Sequence, residues 1–482
     1  MDWFISWSTL FLIIVIFLSV VLLLQNRKPS RTLAWILVLI FFPVVGVLLY
    51  LYLGQTHRKK KTFLKKRKSD YKAVEKLLKD NIPLVKHNEY VQKLSNYSIV
   101  KKMIPLFVNS SHSPLTTDNN AQVLQNGSTA FDEMLKSIHK AKSHVHLEFF
   151  IIKDSKIGRD FQQALIKKAK EGVKVRVIYD AVGSWKLRKS FLKPLKDAGV
   201  EVKAFLPVTL PFFGEKLNYR NHRKILVVDG KEGFLGGLNI GDEYLGKSPK
   251  RGFWRDTHLK VEGSAVYVLQ TIFLRDWQFV SKQNFEVNTK KYYPPIKSTG
   301  RVSMQIVSSG PDSYWAGIQQ GYFTAIANAK EKVYITTPYL IPDESILVAL
   351  KTAALAGVDV RILVPSKPDH KTVFWASKSH FQELLESGVR IYQYQKGFVH
   401  GKVIIVDDQF TSIGSANLDI RSFELSFEVN AFMYEKEICK QTTEDYFQDL
   451  ENSKEVSLNE YLKRPISNKI KESLAKLFSP LM

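Results

Sequence analysis

Uncharged side chains run unbroken from Trp3 to Leu24 and again from Leu33 to Leu53. As a helix the first run is about 33 Å long, close to the thickness of a hydrocarbon layer. A cleaved leader accounts for one such run but not two, and it normally opens with basic residues, whereas only Asp2 precedes this one. The pattern predicts a two-span transmembrane hairpin over residues 1–56, with Pro43 and Gly46 able to kink the second span or make it re-entrant. The short loop carries Arg27, Lys28 and Arg31, but eight basic residues and no acid lie between Arg58 and Lys68. The heavier side is expected to be cytoplasmic, giving a multi-pass cell-membrane protein whose remaining domains face the cytoplasm.

Residues 57–109 read as a basic, loosely helical juxtamembrane connector packed on the first domain, and Ser110 to Gln125, rich in Ser, Thr, Asn and Asp, reads as loop. Beyond it the hydrophobic period alternates between that of a helix and that of a strand. Ala130 to Ala141 has helical spacing, His144 to Ile152 reads as a strand, Gly158 to Glu171 as a helix and Val173 to Asp180 as a strand. From Tyr314 the order recurs: helix to Ala329, strand Lys332 to Thr337, helix Ser345 to Ala356, strand Val358 to Val364. Gly172-Val173-Lys174-Val175-Arg176 answers Gly357-Val358-Asp359-Val360-Arg361. Two copies about 180 residues apart make a duplicated α/β fold, with mixed sheets flanked by helices over residues 110–298 and 299–482, rather than a solenoid.

Each copy carries the phrase H-x-K-x4-D-x6-G-[GS]-x-N. It runs through His222, Lys224, Asp229, Gly236-Gly237 and Asn239, then through His400, Lys402, Asp407, Gly414-Ser415 and Asn417. The four residues between Lys and Asp are Ile, Leu or Val, which predicts a buried strand with His and Lys, two apart, on one face. Asp229 and Asp407 fall on the other face or in the turn and read as architectural parts of the motif. The Gly pair suits a tight turn that carries the Asn back toward the His. An imidazole beside a fixed cation is suited to attack on phosphorus, and two such units supply a nucleophile and a general acid on opposite sides of one phosphoryl group.

A formal charge of +24 calls for acidic partners, lipid or nucleic acid. The single Cys439 excludes an internal disulfide. No C-x2-C, H-E-x-x-H, EF-hand or P-loop pattern is present, so no metal and no cofactor are expected. Three weaker features stand apart from the motifs. Leu206 to Gly214 is an apolar loop suited to burial or to a lipid surface. Ile470, Leu474, Leu477 and Phe478 form an apolar stripe beside Lys469, Lys471 and Lys476, expected to dock on the body rather than on a bilayer. Asp369-His370 follows a strand end and is a weak candidate for lining the site.

The doubled motif resembles the signature of the phospholipase D superfamily. The flanks Tyr219-Arg220-Asn221-His222-Arg223-Lys224, Trp254-Arg255-Asp256-Thr257-His258, Thr337-Pro338-Tyr339-Leu340-Ile341-Pro342 and Asn417-Leu418-Asp419-Ile420-Arg421-Ser422-Phe423 resemble the bacterial cardiolipin synthases within it. The resemblance implies two phospholipase D-like domains facing each other across a pseudo-twofold axis. It implies a phosphatidyl transfer that converts two phosphatidylglycerols into cardiolipin and glycerol through a phosphohistidine, with His222 as nucleophile. Lys224, Lys402, Asn239 and Asn417 would then hold the phosphate oxygens. An acid beyond each motif orients the imidazoles in this superfamily, and by position Asp256 is matched to His222 and Glu428 to His400. The partners so implied are anionic phospholipid and membrane, without nucleic acid. Water as acceptor would make the protein a hydrolase. A nuclease would bind DNA in a salt-dependent way, and an inert membrane tether would keep its cellular role without His222.

Overall fold

The computed structural model describes residues 2–24, 29–50, 98–207, 218–246, 252–282, 289–295 and 300–479. The connector between 51 and 97 and the apolar loop from Val208 onward lie outside these residues. Two compact units emerge, one holding the first 65 residues and the other nearly all the rest.

In the first unit α1 (Asp2–Leu24) is followed by α2 (Pro29–Phe41) and α3 (Pro43–Leu49). The break between α2 and α3 falls at Phe42, because Pro43 has no N–H to continue the ladder. Val15, Leu22, Leu39 and Tyr50 form a small buried cluster, while Leu12, Phe17, Leu24, Phe41 and Val44 are exposed. Among the described residues no helix is long and apolar enough to cross a membrane.

The second unit opens with α4 (Ser98–Ser111). The first half contributes β1 (Thr116–Gln125), α5 (Asn126–Lys140), β2 (His144–Phe149), α6 (Lys156–Lys170), β3 (Lys174–Asp180), β4 (Glu201–Phe205), β5 (Arg220–Asn221), β6 (Lys224–Val228), β7 (Glu232–Gly236), β8 (Phe253–Arg255), β9 (Thr257–Glu262) and α7 (Ala265–Ser281). The second half contributes β10 (Val302–Ser309), α8 (Gly317–Ala327), β11 (Lys332–Thr336), β12 (Leu340–Ile341), α9 (Glu344–Leu355), β13 (Asp359–Pro365), α10 (Lys371–Lys378), β14 (Arg390–Tyr394), β15 (Gly397–Val399), β16 (Val403–Val406), β17 (Phe410–Gly414), β18 (Leu418–Asp419), β19 (Ser426–Met433), β20 (Ser453–Glu455) and α11 (Ile466–Leu477).

The helices and strands read from the repeat all form, with ends shifted by a few residues. Their order in the sheet repeats as well: β1-β9-β7-β6-β2-β3-β4 in one half mirrors β10-β19-β17-β16-β11-β13-β14 in the other. Gly172 and Gly357 end equivalent helices with φ of 85° and 92°, which explains why the repeat keeps glycine there.

Three expectations are corrected. The polar stretch read as loop is strand β1, paired with β9 on one side and β10 on the other. Its polar groups are spent on backbone: Asn119 Nδ2 donates to the Val302 carbonyl at 2.9 Å and Thr116 Oγ1 to the Met304 carbonyl at 3.0 Å, across a shift in register. The β1–β10 pairing fuses the two expected sheets into one sheet that crosses both halves. Finally, the described end of the connector does not pack on the first domain. Ile99, Val100, Met103, Ile104 and Phe107 of α4 are buried in the second half's core with Ile318, Tyr322 and Phe432.

Candidate active site

Each motif aspartate anchors its strand. Asp229 accepts the backbone N–H groups of Lys142, Ser143 and His144 at 2.7–2.9 Å, and Asp407 those of Lys330, Glu331 and Lys332 at 2.8–2.9 Å. Both sit in the left-handed region, with φ of 55° and 52°, where the chain turns out of its strand. These are three charge-assisted bonds to the link that leads into β2 or β11. Asp407→Ala is therefore expected to cost about 3 kcal/mol of stability in chemical denaturation, while turnover per folded molecule changes far less than when a motif histidine is replaced.

The first glycine of each pair has a reason besides the turn. Gly236 and Gly414 are the last residues of β7 and β17, and the chain bends at the next residue, Gly237 or Ser415. A Cβ on Gly236 would meet the backbone of His258 at 2.6 Å, and one on Gly414 the side chain of Asn430 at 2.2 Å, so the close approach of the neighbouring strand demands glycine.

The two histidines lie just ahead of β6 and β16, and strands from the opposite half hold them. β5 pairs in parallel with β19, Asn221 opposite Phe427, and the His222 N–H donates to the Phe427 carbonyl at 2.9 Å. In the equivalent place β15 pairs with β8, Val399 opposite Arg255, and the His400 N–H donates to the Arg255 carbonyl at 2.7 Å. The next residue along each partner segment is the acid, Glu428 within β19 and Asp256 just past the end of β8. Glu428 thus meets His222 Nδ1 at 2.9 and 3.0 Å, and Asp256 meets His400 Nδ1 at 2.7 Å. Sequence position matches the acids to the imidazoles of their own halves, Asp256 with His222 and Glu428 with His400. The structure exchanges them, because the register of two short inter-half ladders decides the partner and chain distance does not.

Both carboxylates are fully buried. Ser415 Oγ donates to Glu428, and the Thr257 N–H donates to Asp256 at 2.8 Å. Burial pushes the Asp256 carboxyl up, but His400, Lys402 and the Thr257 N–H outweigh it and hold the group below its ordinary value. A carboxylate on Nδ1 fixes the proton there and leaves Nε2 as the basic nitrogen of each ring.

Lys224 and Lys402 are almost completely buried, and each donates to the backbone carbonyl of its own motif histidine, Lys224 at 2.6 Å. Burial depresses the Lys224 ammonium well below its ordinary value and brings Lys402 to about 8. Burial likewise pushes His222 and His400 down to about 4, against the pull of Glu428 and Asp256. The field is shared: Lys402 acts on His222, and Lys224 acts on His400. An entering phosphodiester anion would offset the cost of both buried cations, so the site is electrostatically prepared for one.

His144 is likewise held at about 4 and His258 at about 3, chiefly by burial. All four rings are neutral in the folded chain at pH 7 but take up protons near pH 6.5 once unfolded. Folding stability is thus expected to be flat above pH 6.5 and to fall as the pH drops from 6.5 toward 4, by at most about 3 kcal/mol per ring. Melting temperature against pH measures the slope, and His258→Asn should flatten it.

The motif asparagines are less free than expected. Asn239 Oδ1 accepts the Ile151 N–H at 3.1 Å and its Nδ2 donates to the Tyr244 hydroxyl at 2.7 Å. Asn417 Nδ2 donates to Asp419 at 3.0 Å, while its buried Oδ1 has no partner among the described residues. Asp369 accepts from the Tyr339 hydroxyl in a cleft that Phe398 also lines, two residues from His400, and His370 is exposed. Phe150 and Tyr244 carry no sequence signal of their own: Phe150 edges the His222 ring at 5.0 Å, and Tyr244 flanks His400 at 6.0 Å, with Trp254 of the quoted flank at 5.3 Å. Ser415 was visible only as a variable letter of the motif.

A family model described as "Cardiolipin synthase, PLD-like domain" matches residues 134–277 and 322–450, once in each half. The chain belongs to this phospholipase D-like family. A second model, "Phospholipase_D-nuclease N-terminal", matches residues 11–55. Family members align almost end to end. A cardiolipin synthase of Halalkalibacterium halodurans is 47% identical over 99% of this chain and 94% of its own, and the major cardiolipin synthase of Bacillus subtilis is 43% identical over 98% of both. Among solved structures, phosphatidylserine synthase of Haemophilus influenzae has a TM-score of 0.59 and covers 79% of this chain and all of its own, at 14% identity. That likeness is one of fold.

Proposed function

We propose that this member of the cardiolipin synthase family is a phosphatidyltransferase that joins two phosphatidylglycerols into cardiolipin and releases glycerol. The observation that carries the mechanism is the pair of crossed imidazole–carboxylate contacts, each beside a buried lysine. His222 Nε2 attacks the phosphorus of the first lipid. The entering phosphodiester anion draws a solvent proton onto His400 Nε2, and as the P–O bond to the headgroup glycerol breaks His400 gives that oxygen this proton. A headgroup hydroxyl of the second lipid then loses its proton to His400 and displaces His222, breaking the P–N bond and restoring both rings. Lys224 and Lys402 offset charge on the non-bridging oxygens, and rotation of Asn239 and Asn417 away from Tyr244 and Asp419 would add two amide donors. Glu428 and Asp256 hold the tautomers. Asp229 and Asp407 fix the strands.

The same reading makes α1 and the broken pair α2–α3 a two-span membrane anchor, with the catalytic unit on the cytoplasmic side. The exposed apolar side chains of α1, α2 and α3 support it.

The test is to give purified, detergent-solubilised protein phosphatidylglycerol alone and resolve the products by mass spectrometry. Cardiolipin and glycerol in equal amounts support the proposal. Phosphatidic acid without cardiolipin would mean that water is the acceptor, and no lipid turnover would overturn it.

A further inference from the structure

The carboxy-terminal helix α11 has two unlike faces. Glu472 and Ala475 are buried on the body: Ala475 packs with Ile341 and Ala376, and Glu472 takes Arg464 at 2.9 Å and the Tyr461 hydroxyl at 2.9 Å. The side chains expected to dock do not. Ile466 is 74% exposed, Ile470 53%, Leu474 55%, Leu477 75% and Phe478 55%. At 100° per residue these five fall within an arc of about 120°, opposite the docked face. Lys471 borders the arc on one side, and Lys469 and Lys476 border it on the other. All three are exposed, Lys471 lying 5.1 Å over the Trp375 ring and Lys476 3.4 Å from Glu383. The docked face thus fixes the helix, and the apolar arc is left facing outward.

Its position gives the arc a use. α11 rests on α10, where Ser377 Oγ receives the Leu340 N–H at 3.1 Å, and Leu340 pairs with Leu418, the residue after Asn417. A surface lying against α11 is therefore a short chain of contacts from the second motif.

We infer that α11 is an interfacial helix: its apolar arc enters the outer part of an anionic bilayer while the flanking lysines meet lipid phosphates, holding the second motif's side of the catalytic unit against its lipid. A helix apolar over one arc, basic at both edges and already fastened through its opposite face fits the plane of a membrane surface. A protein partner would bury the arc but gives no reason for a lysine border. The inference concerns where the catalytic unit meets lipid and is independent of which acceptor alcohol the site uses.

Cys439 is buried and is the chain's one cysteine, so Leu474→Cys supplies a selective attachment point for a fluorophore. The full-length labelled protein is reconstituted into vesicles of phosphatidylcholine with or without phosphatidylserine, each carrying lipids brominated along the acyl chain. At least a twofold stronger quenching in the anionic vesicles is expected. Equal quenching in both, none in either, or a label already shielded in detergent by a second copy or by the chain's own segments would overturn the inference. In a parallel assay the Ile470→Glu, Leu474→Glu double variant should raise KM for vesicular phosphatidylglycerol about tenfold, with kcat and melting temperature little changed. A loss confined to kcat would overturn it too. The quenching assay reads no turnover, so it stands or falls apart from the transferase reading.

Discussion

His222→Ala and His400→Ala each lower phosphatidylglycerol turnover by about four orders of magnitude, and the double variant loses little beyond either single change. In the proposed cycle the two rings serve one phosphoryl transfer in succession, so removing either stops it and the losses do not add. They fail differently. Without the His222 ring no P–N bond can form, so intact-mass analysis after rapid quenching should find no phosphatidyl adduct. Without His400 the nucleophile survives, but the departing glycerol has no proton donor and the incoming hydroxyl no base. Turnover near the wild-type rate in either single variant would refute the assignment.

Asp256→Asn and Glu428→Gln are expected to cost about 10³- to 10⁴-fold each, comparable to replacing the carboxylate behind a catalytic imidazole elsewhere. The amide presents an N–H to the ring where the carboxylate accepted one, which favours the wrong tautomer. The crossed contacts give this prediction a sharper form. Glu428→Gln should alter the rate and pH profile of His222 carbethoxylation, mapped by peptide mass spectrometry, and leave His400 nearly untouched, whereas Asp256→Asn should do the reverse. Effects confined within each half would mean that the exchange does not occur in solution. Ser415→Ala, which removes a donor to Glu428, should reproduce a weaker version of the Glu428 effect.

What could be read ahead of the structure follows the range of the forces involved. The strand Val173 to Asp180 and the helix Ser345 to Ala356 were legible because hydrophobic period is local to each element. The doubled motif was legible because its chemistry depends on fixed short spacings. β1 was not: its Thr and Asn side chains resemble a loop until Met304 and Val302, far along the chain, supply their acceptors. α4 could not be assigned to the second core, since an apolar face states that it will be buried and not against what. The exchange of Asp256 and Glu428 is the same failure at the site itself. Position singles out both acids, but the ring each one meets is chosen by inter-half pairings of two and three residues. On α11 the stripe was legible, yet the buried face belongs to Ala475 and Glu472, neither of which a hydrophobic count would select.

The crossed carboxylates bear on how such a molecule can have originated. A single half, standing alone, carries a motif imidazole but lacks the carboxylate that contacts it. Two copies meeting about a twofold axis would each lend what the other lacks. The catalytic unit thus has the arrangement of a two-subunit dimer carried in one polypeptide.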